Sequence, residues 1–159
     1  MPSELLLLLY RGDRPGAQTL ARDLPALDIF EAAALGALEA LIERAEEDPG
    51  LVAAYSDDGW TPLHLAAFFG NNACLKDLLR RHAPIDARAH NGSEVTPLHS
   101  ACAGNHTLAA ITLIAAGADV NAEQHGGYRP LDSALQNGNS EIAEALRLAG
   151  GRGRRHESP

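Results

Sequence analysis

Seven histidines and two cysteines are the side chains of this 159-residue sequence that could bind a metal or supply a nucleophile with its base. Their spacing suits neither task. No His-x3-His or Cys-x2-Cys pair occurs, and no nucleophile motif joins Cys74 or Cys102 to a histidine base. A glycine-rich phosphate loop, a nucleophile elbow and a paired-carboxylate signature are also missing. The residues therefore predict no enzyme, no metal and no cofactor. Two cysteines are too few for a disulfide framework and read as reduced, buried thiols, which suits a cytoplasmic protein.

Shorter motifs add little chemistry. Arg11-Gly12-Asp13 spells an integrin-binding tripeptide, but Gly12 reads as a helix stop. The acidic run Glu43, Glu46, Glu47, Asp48 reads as a solvated helix end, and Arg152, Arg154 and Arg155 as a solubilising tail. Leu5 to Leu9 is apolar but too short for a signal core or a membrane span. The formal net charge is −8, so an acidic body repels phosphate backbones and nucleic acid is not an expected partner.

The seven aromatic residues carry more information. Five of them, Tyr55, Trp60, Phe68, Phe69 and Tyr128, cluster around two short motifs, and exposed aromatics gathered on one face mark interaction surfaces. The elements that position them are helices. Ala (29 residues) and Leu (24) make up a third of the chain, while β-branched residues are sparse.

An internal repeat organises these helices. Thr61-Pro62-Leu63-His64-Leu65-Ala66-Ala67 recurs 35 residues later as Thr96-Pro97-Leu98-His99-Ser100-Ala101-Cys102. It returns after 33 more as Arg129-Pro130-Leu131-Asp132-Ser133-Ala134-Leu135. Each threonine can cap a helix whose first position is proline. The leucines point inward, and the alanines allow close helix packing. Gly70, Gly138 and Asn105 can end the first helix of each unit. Asp58-Gly59, Asn91-Gly92 and Gly126-Gly127 are turn signals between units, and the turn at Asn91 to Val95 is two residues longer.

The repeated T-P-L-H-x-A pattern and the Gly117-Ala118-Asp119-Val120-Asn121 ending resemble the ankyrin repeat family. The resemblance implies an all-α solenoid of stacked helix pairs with short β-turn fingers. It implies that His64 and His99 bond to backbone and loop groups, and that Asn121 closes its repeat. His82 stands where the family has glycine, and His90 and His125 fall in fingers. An N-terminal helical cap is expected over residues 3–27, formed by Glu4 to Tyr10 and Ala17 to Leu24. A divergent repeat at 28–57 follows, then repeats at 58–90, 91–124 and 125–150. Arg147 falls where earlier repeats have Leu79 and Ile114, which suits an outer end without a neighbour. Residues 151–159 are expected to be a disordered tail.

The same resemblance places Trp60, Phe68, Phe69 and Tyr128 toward a concave groove that binds an unidentified partner protein. Tyr55, Val95, Ala103, Gln136 and Asn137 extend that surface, with no closed pocket expected. Asp57, Asp58, His90, Asn91, Glu94, Glu123 and His125 form its polar rim. A stoichiometric inhibitor or regulatory subunit of an enzyme, and a small-ligand binder, are the alternatives. A stack capped at both ends is expected to be a monomer when free. The preference for Arg over Lys points to a GC-rich, bacterial genome.

Overall fold

The computed structural model describes residues 1–154. Among them ten α-helices and two short 3-10 turns are present, and no strand. Four helix hairpins form the stack. The inner helices are α3 (Ile29–Leu35), α5 (Pro62–Phe68), α7 (Pro97–Ala103) and α9 (Pro130–Gln136). The outer helices are α4 (Leu38–Glu47), α6 (Asn72–Arg80), α8 (Thr107–Ala115) and α10 (Ser140–Leu148). Before them lie α1 (Glu4–Tyr10) and α2 (Arg14–Asp23). The all-helical solenoid read from the repeat is thus the fold observed, and its fingers are turns.

Local chemistry sets each boundary. Asp13 accepts a hydrogen bond from the Gly16 amide, so α2 starts three residues earlier than the sequence reading placed it. Arg11-Gly12-Asp13 is therefore a helix stop followed by a helix cap, with Gly12 at φ +80. Asp28 and Glu31 close a reciprocal capping box on α3. The inner helices of the last three hairpins end on left-handed residues at Gly70, Asn105 and Gly138. Gly104, one residue earlier, needs its missing side chain for another reason. A Cβ there would lie 2.2 Å from the Phe68 carbonyl oxygen.

The core runs the length of the stack as one layer between the helix rows. Leu63, Leu98 and Leu131 fill it from the inner helices, and Leu75, Leu78, Leu113 and Leu146 from the outer ones. Ala66, Ala67, Ala101 and Ala134 are fully buried, so the inner helices approach closely. Cys74 and Cys102 are buried here as free thiols, and burial pushes them up to about 11 and about 12. Thiols held that far above neutral pH are inert packing groups.

One contact ties each repeat to the next. The Thr61 amide donates to His64 Nδ1 at 3.3 Å, which leaves the proton on Nε2. That Nε2–H donates to the Val95 carbonyl in the following finger at 2.8 Å. His99 does the same, accepting from the Thr96 amide at 3.3 Å and donating to the Tyr128 carbonyl at 3.2 Å. Among the described residues no finger follows the fourth hairpin. Asp132 replaces the histidine, accepting from the Arg129 amide at 2.8 Å and from the Arg154 amide at 2.9 Å. An acceptor is needed there because the segment passing over it presents an N–H instead of a carbonyl.

That segment differs from the expected tail. Gly151 donates to the Leu146 carbonyl, Arg152 to Asn121 Oδ1 and Arg154 to the Asp132 carboxylate, so these residues are held through their backbone amides. Residues 155–159, the rest of the expected tail, lie outside the described residues. Asn121 also donates to the Gly150 carbonyl at 3.0 Å, which closes its repeat.

The buried imidazoles set a pH dependence. Burial pushes His64 down to about 4, and it also holds His99 below the ordinary histidine value. In the unfolded chain these imidazoles take a proton near pH ~6.5. Between those values the unfolded chain binds more protons, so stability falls as pH drops from 7 toward 4. His64 alone should account for about 3 kcal/mol over that window. Urea midpoints measured from pH 7 to pH 4 should decline steadily in the wild type. His64→Gln should flatten the decline, and an unchanged slope would contradict the assignment.

Candidate functional site

The inner helices and fingers line one concave face. A hollow of about 360 Å³ opens on it, walled by Tyr10, Trp60, His64, Leu65, Phe68, Val95, Ser100 and Ala103. Its lining is almost wholly apolar. The two polar floor residues, His64 and Ser100, are buried, and no buried side-chain nitrogen or oxygen among the described residues lacks a partner. Both ring nitrogens of His64 are taken, so the Ser100 hydroxyl is the one polar group of the floor with capacity to spare, and apolar contact is the main chemistry available.

Repeat geometry explains which side chains arrive there. Phe68, Ala103 and Gln136 hold the same position on three successive inner helices. The row thus grades from aromatic to small to polar along the stack. Phe68 remains 40% exposed, with its ring edge-on to Phe69 at 5.1 Å between centroids. Trp60 enters from the finger before α5 and leans on the His64 ring at 5.6 Å. Val95 is placed by the same bond that its carbonyl accepts from His64. Trp60, Phe68, Val95 and Ala103 are the residues from the sequence-predicted set that converge on the hollow.

The other predicted residues lie elsewhere. Phe69 turns away from the hollow to stack on Tyr10 at 6.1 Å and packs against the core. Tyr55 stacks on His90 and donates its hydroxyl to the Arg88 carbonyl at 3.0 Å, bracing two fingers. Asn137 donates to the Cys102 and Ala103 carbonyls, a stitch between α7 and α9. Tyr128 is exposed with the Arg154 guanidinium over its ring at 4.8 Å. Gln136 is exposed at the far end of the row.

The rim is more ordered than a list of polar residues suggests. Asp57 pairs with the N-terminal ammonium of Met1 at 2.9 Å, both exposed. Asp58 accepts from the Ser56 and Tyr10 hydroxyls, each at 2.7 Å. Asn91 donates to the Asp58 carbonyl and accepts from Ser93, which shapes the longer finger. Glu94 sits at φ +56 with Arg88 3.9 Å away. Glu123 pairs with Arg129 at 2.6 Å, and the His125 amide bonds to the Ser93 carbonyl. These links hold neighbouring fingers in register.

Tyr10 is the wall that the sequence did not place. It belongs to α1, ahead of the four hairpins, yet its ring reaches the second of them. Burial, followed by the Asp58 carboxylate that accepts its hydroxyl, holds its pKa above the ordinary tyrosine value. The hydroxyl therefore stays protonated as the donor of that bond. No cluster of three or more metal-ligating side chains occurs among the described residues, nor any helix long and apolar enough to cross a membrane.

Comparison with known proteins agrees with this architecture. The family described as "Ankyrin repeats (3 copies)" matches residues 29–124 and again 70–152. Alpha-latrocrustotoxin-Lt1a from Latrodectus tredecimguttatus is 38% identical over 102 residues, covering 64% of this chain and 7% of that protein. SMC5-SMC6 complex localization factor protein 1 from Bos taurus is 35% identical, covering 62% of this chain and 9% of that protein. Ankyrin repeat domain-containing protein 53 from Homo sapiens is 36% identical, covering 52% and 16%. The matched stretch is thus a small part of each relative, and what they share with this chain is the repeat unit. With the family match spanning most of the sequence and the histidine-to-finger bond repeated in the structure, the chain belongs to the ankyrin repeat family.

Proposed function

We propose that this chain is a non-enzymatic protein-interaction module whose concave groove takes an apolar segment of a partner protein. Ankyrin repeats are in general protein–protein interaction modules, and the particular groove is our own reading. The apolar hollow between Trp60 and Phe68 carries it. A large ring left open to water beside a dry floor is the usual form of a binding hot spot. The bonded fingers support a preorganised site, so little ordering entropy opposes binding. Asp58 at the near rim, bonded only by neutral hydroxyls, favours a segment that carries a basic residue next to its apolar anchor. The unpaired thiols favour a cytoplasmic partner.

A second reading has one observation in its favour. About 360 Å³ lies within the size range of small-molecule sites, and its apolar lining suits a hydrophobic ligand. An inhibitor or regulatory role would use the same groove on an enzyme surface.

Selection from a displayed random-peptide library separates these readings. Wild-type protein should enrich peptides with an aromatic or aliphatic anchor beside Lys or Arg. Trp60→Ala and Phe68→Ala should each weaken the selected peptides by about 30-fold. Equal binding to the folded variants would remove the groove from the account. If no peptide is enriched and an apolar small molecule raises Tm, the second reading stands. Melting also distinguishes the paired phenylalanines. Phe68→Ala should cost about 1 kcal/mol, chiefly its edge-on contact with Phe69, whereas Phe69→Ala should cost about 2–3 kcal/mol.

A further inference from the structure

The convex face offers a surface unrelated to the groove. Equivalent positions on the outer helices face solvent at Ala73, Lys76 and Arg80 of α6, and at Leu108, Ile111 and Ala115 of α8. On α10 they are Glu141, Glu144 and Leu148. Helix α8, Thr-Leu-Ala-Ala-Ile-Thr-Leu-Ile-Ala, contains no charged residue in nine, unlike α4, α6 and α10. A helix that is apolar all round normally sits inside a protein. Here Leu108 is 61% exposed and Ile111 38%. An apolar residue exposed singly needs no explanation, but two on one uncharged helix between charged neighbours form a stripe.

The flanks of that stripe carry opposite signs. Lys76 lies on one side, and Glu141 and Glu144 on the other. None of the three is ion-paired among the described residues. Arg80, by contrast, is already paired with Asp77. Lys76, Ile111 and Glu144 are the same residue of their repeats, so they stand at the same height on neighbouring helices. A two-fold axis lying along α8 would place α8 on its own copy and α6 on the copy's α10. Lys76 then meets Glu144 of the other copy, twice, by symmetry. A two-fold axis across the helices would oppose Lys76 to Lys76 instead. The charges thus select one of the two in-plane dyads.

We propose that the chain pairs with a second copy of itself through the outer face of α8, with Lys76 of each copy against Glu144 of the other. Three helices of this length present a footprint of about 400 Å² per copy, roughly half of a standard interface. The dimer is therefore weak and weakened further by salt. The outer face of α8 thus pairs the chain only when it is concentrated.

Sedimentation equilibrium of the full chain at low salt, from about 10 µM to about 1 mM, tests this. The weight-average mass should rise from 16.8 kDa toward twice that value. Leu108→Glu should abolish the rise. Lys76→Glu should raise the dissociation constant about tenfold, and Lys76→Glu combined with Glu144→Lys should restore it. Circular dichroism melts establish that each surface variant folds. A constant monomer mass at the highest concentration overturns the proposal, and so does association that ignores the Leu108 and charge variants. Neither result touches groove binding, which is read by peptide affinity.

Discussion

The bond from the third residue of an inner helix to the next finger is the contact on which the architecture depends. His64 has an acceptor nitrogen for its own helix start and a donor nitrogen for the Val95 carbonyl. It needs the neutral ring for both, and burial supplies it. One side chain thereby fixes where α5 begins, where the following finger sits and which way Val95 faces. The same bond recurs at His99, and its polarity is reversed at Asp132. Remove it and the repeats would still bury leucines, but the fingers would lose their register with the helices. The groove is a consequence of that register, since Trp60 and Val95 are both finger residues.

Where the sequence was legible, a local rule met a repeated position. Proline after threonine started helices, Asn105 took the left-handed place of glycine, and two copies of the motif revealed the stack. Phe68 and Trp60 could be placed because repeat position determines facing. The failures share a different cause, contact between residues far apart in the chain. Tyr10 sits 59 residues before Phe69, and nothing local says that it reaches the second hairpin. Phe69 was read with Phe68 because they are adjacent, yet a helix turns by about 100° per residue and sends them different ways. Arg152 and Arg154 looked unanchored because their bonds use backbone amides, which composition cannot reveal.

Two faces of the same hairpins follow different logic. Inward, repeat positions vary from aromatic to polar across α5, α7 and α9, giving an asymmetric groove. Outward, charge varies from basic to neutral to acidic across α6, α8 and α10, so the two flanks of α8 carry opposite signs. Both gradients rest on one scaffold because Leu63, Leu98 and Leu131, Ala66, Ala101 and Ala134, and Leu78, Leu113 and Leu146 recur at the same core positions between them. A stack can thus change either surface without disturbing the other, provided the histidine bond and the small residues at the inner contact are kept.

If the groove binds through its exposed rings, as proposed, the chain contains its own reporter. Trp60 is its one tryptophan and forms a wall of the hollow. The measurement is a fluorescence titration of the folded protein with a peptide selected on it, read at the tryptophan emission maximum. Binding in the groove should give a saturable blue shift as water leaves the indole, with the same midpoint as binding measured by calorimetry. Full binding by calorimetry with unchanged Trp60 emission would contradict it, because the peptide would then be held on another face.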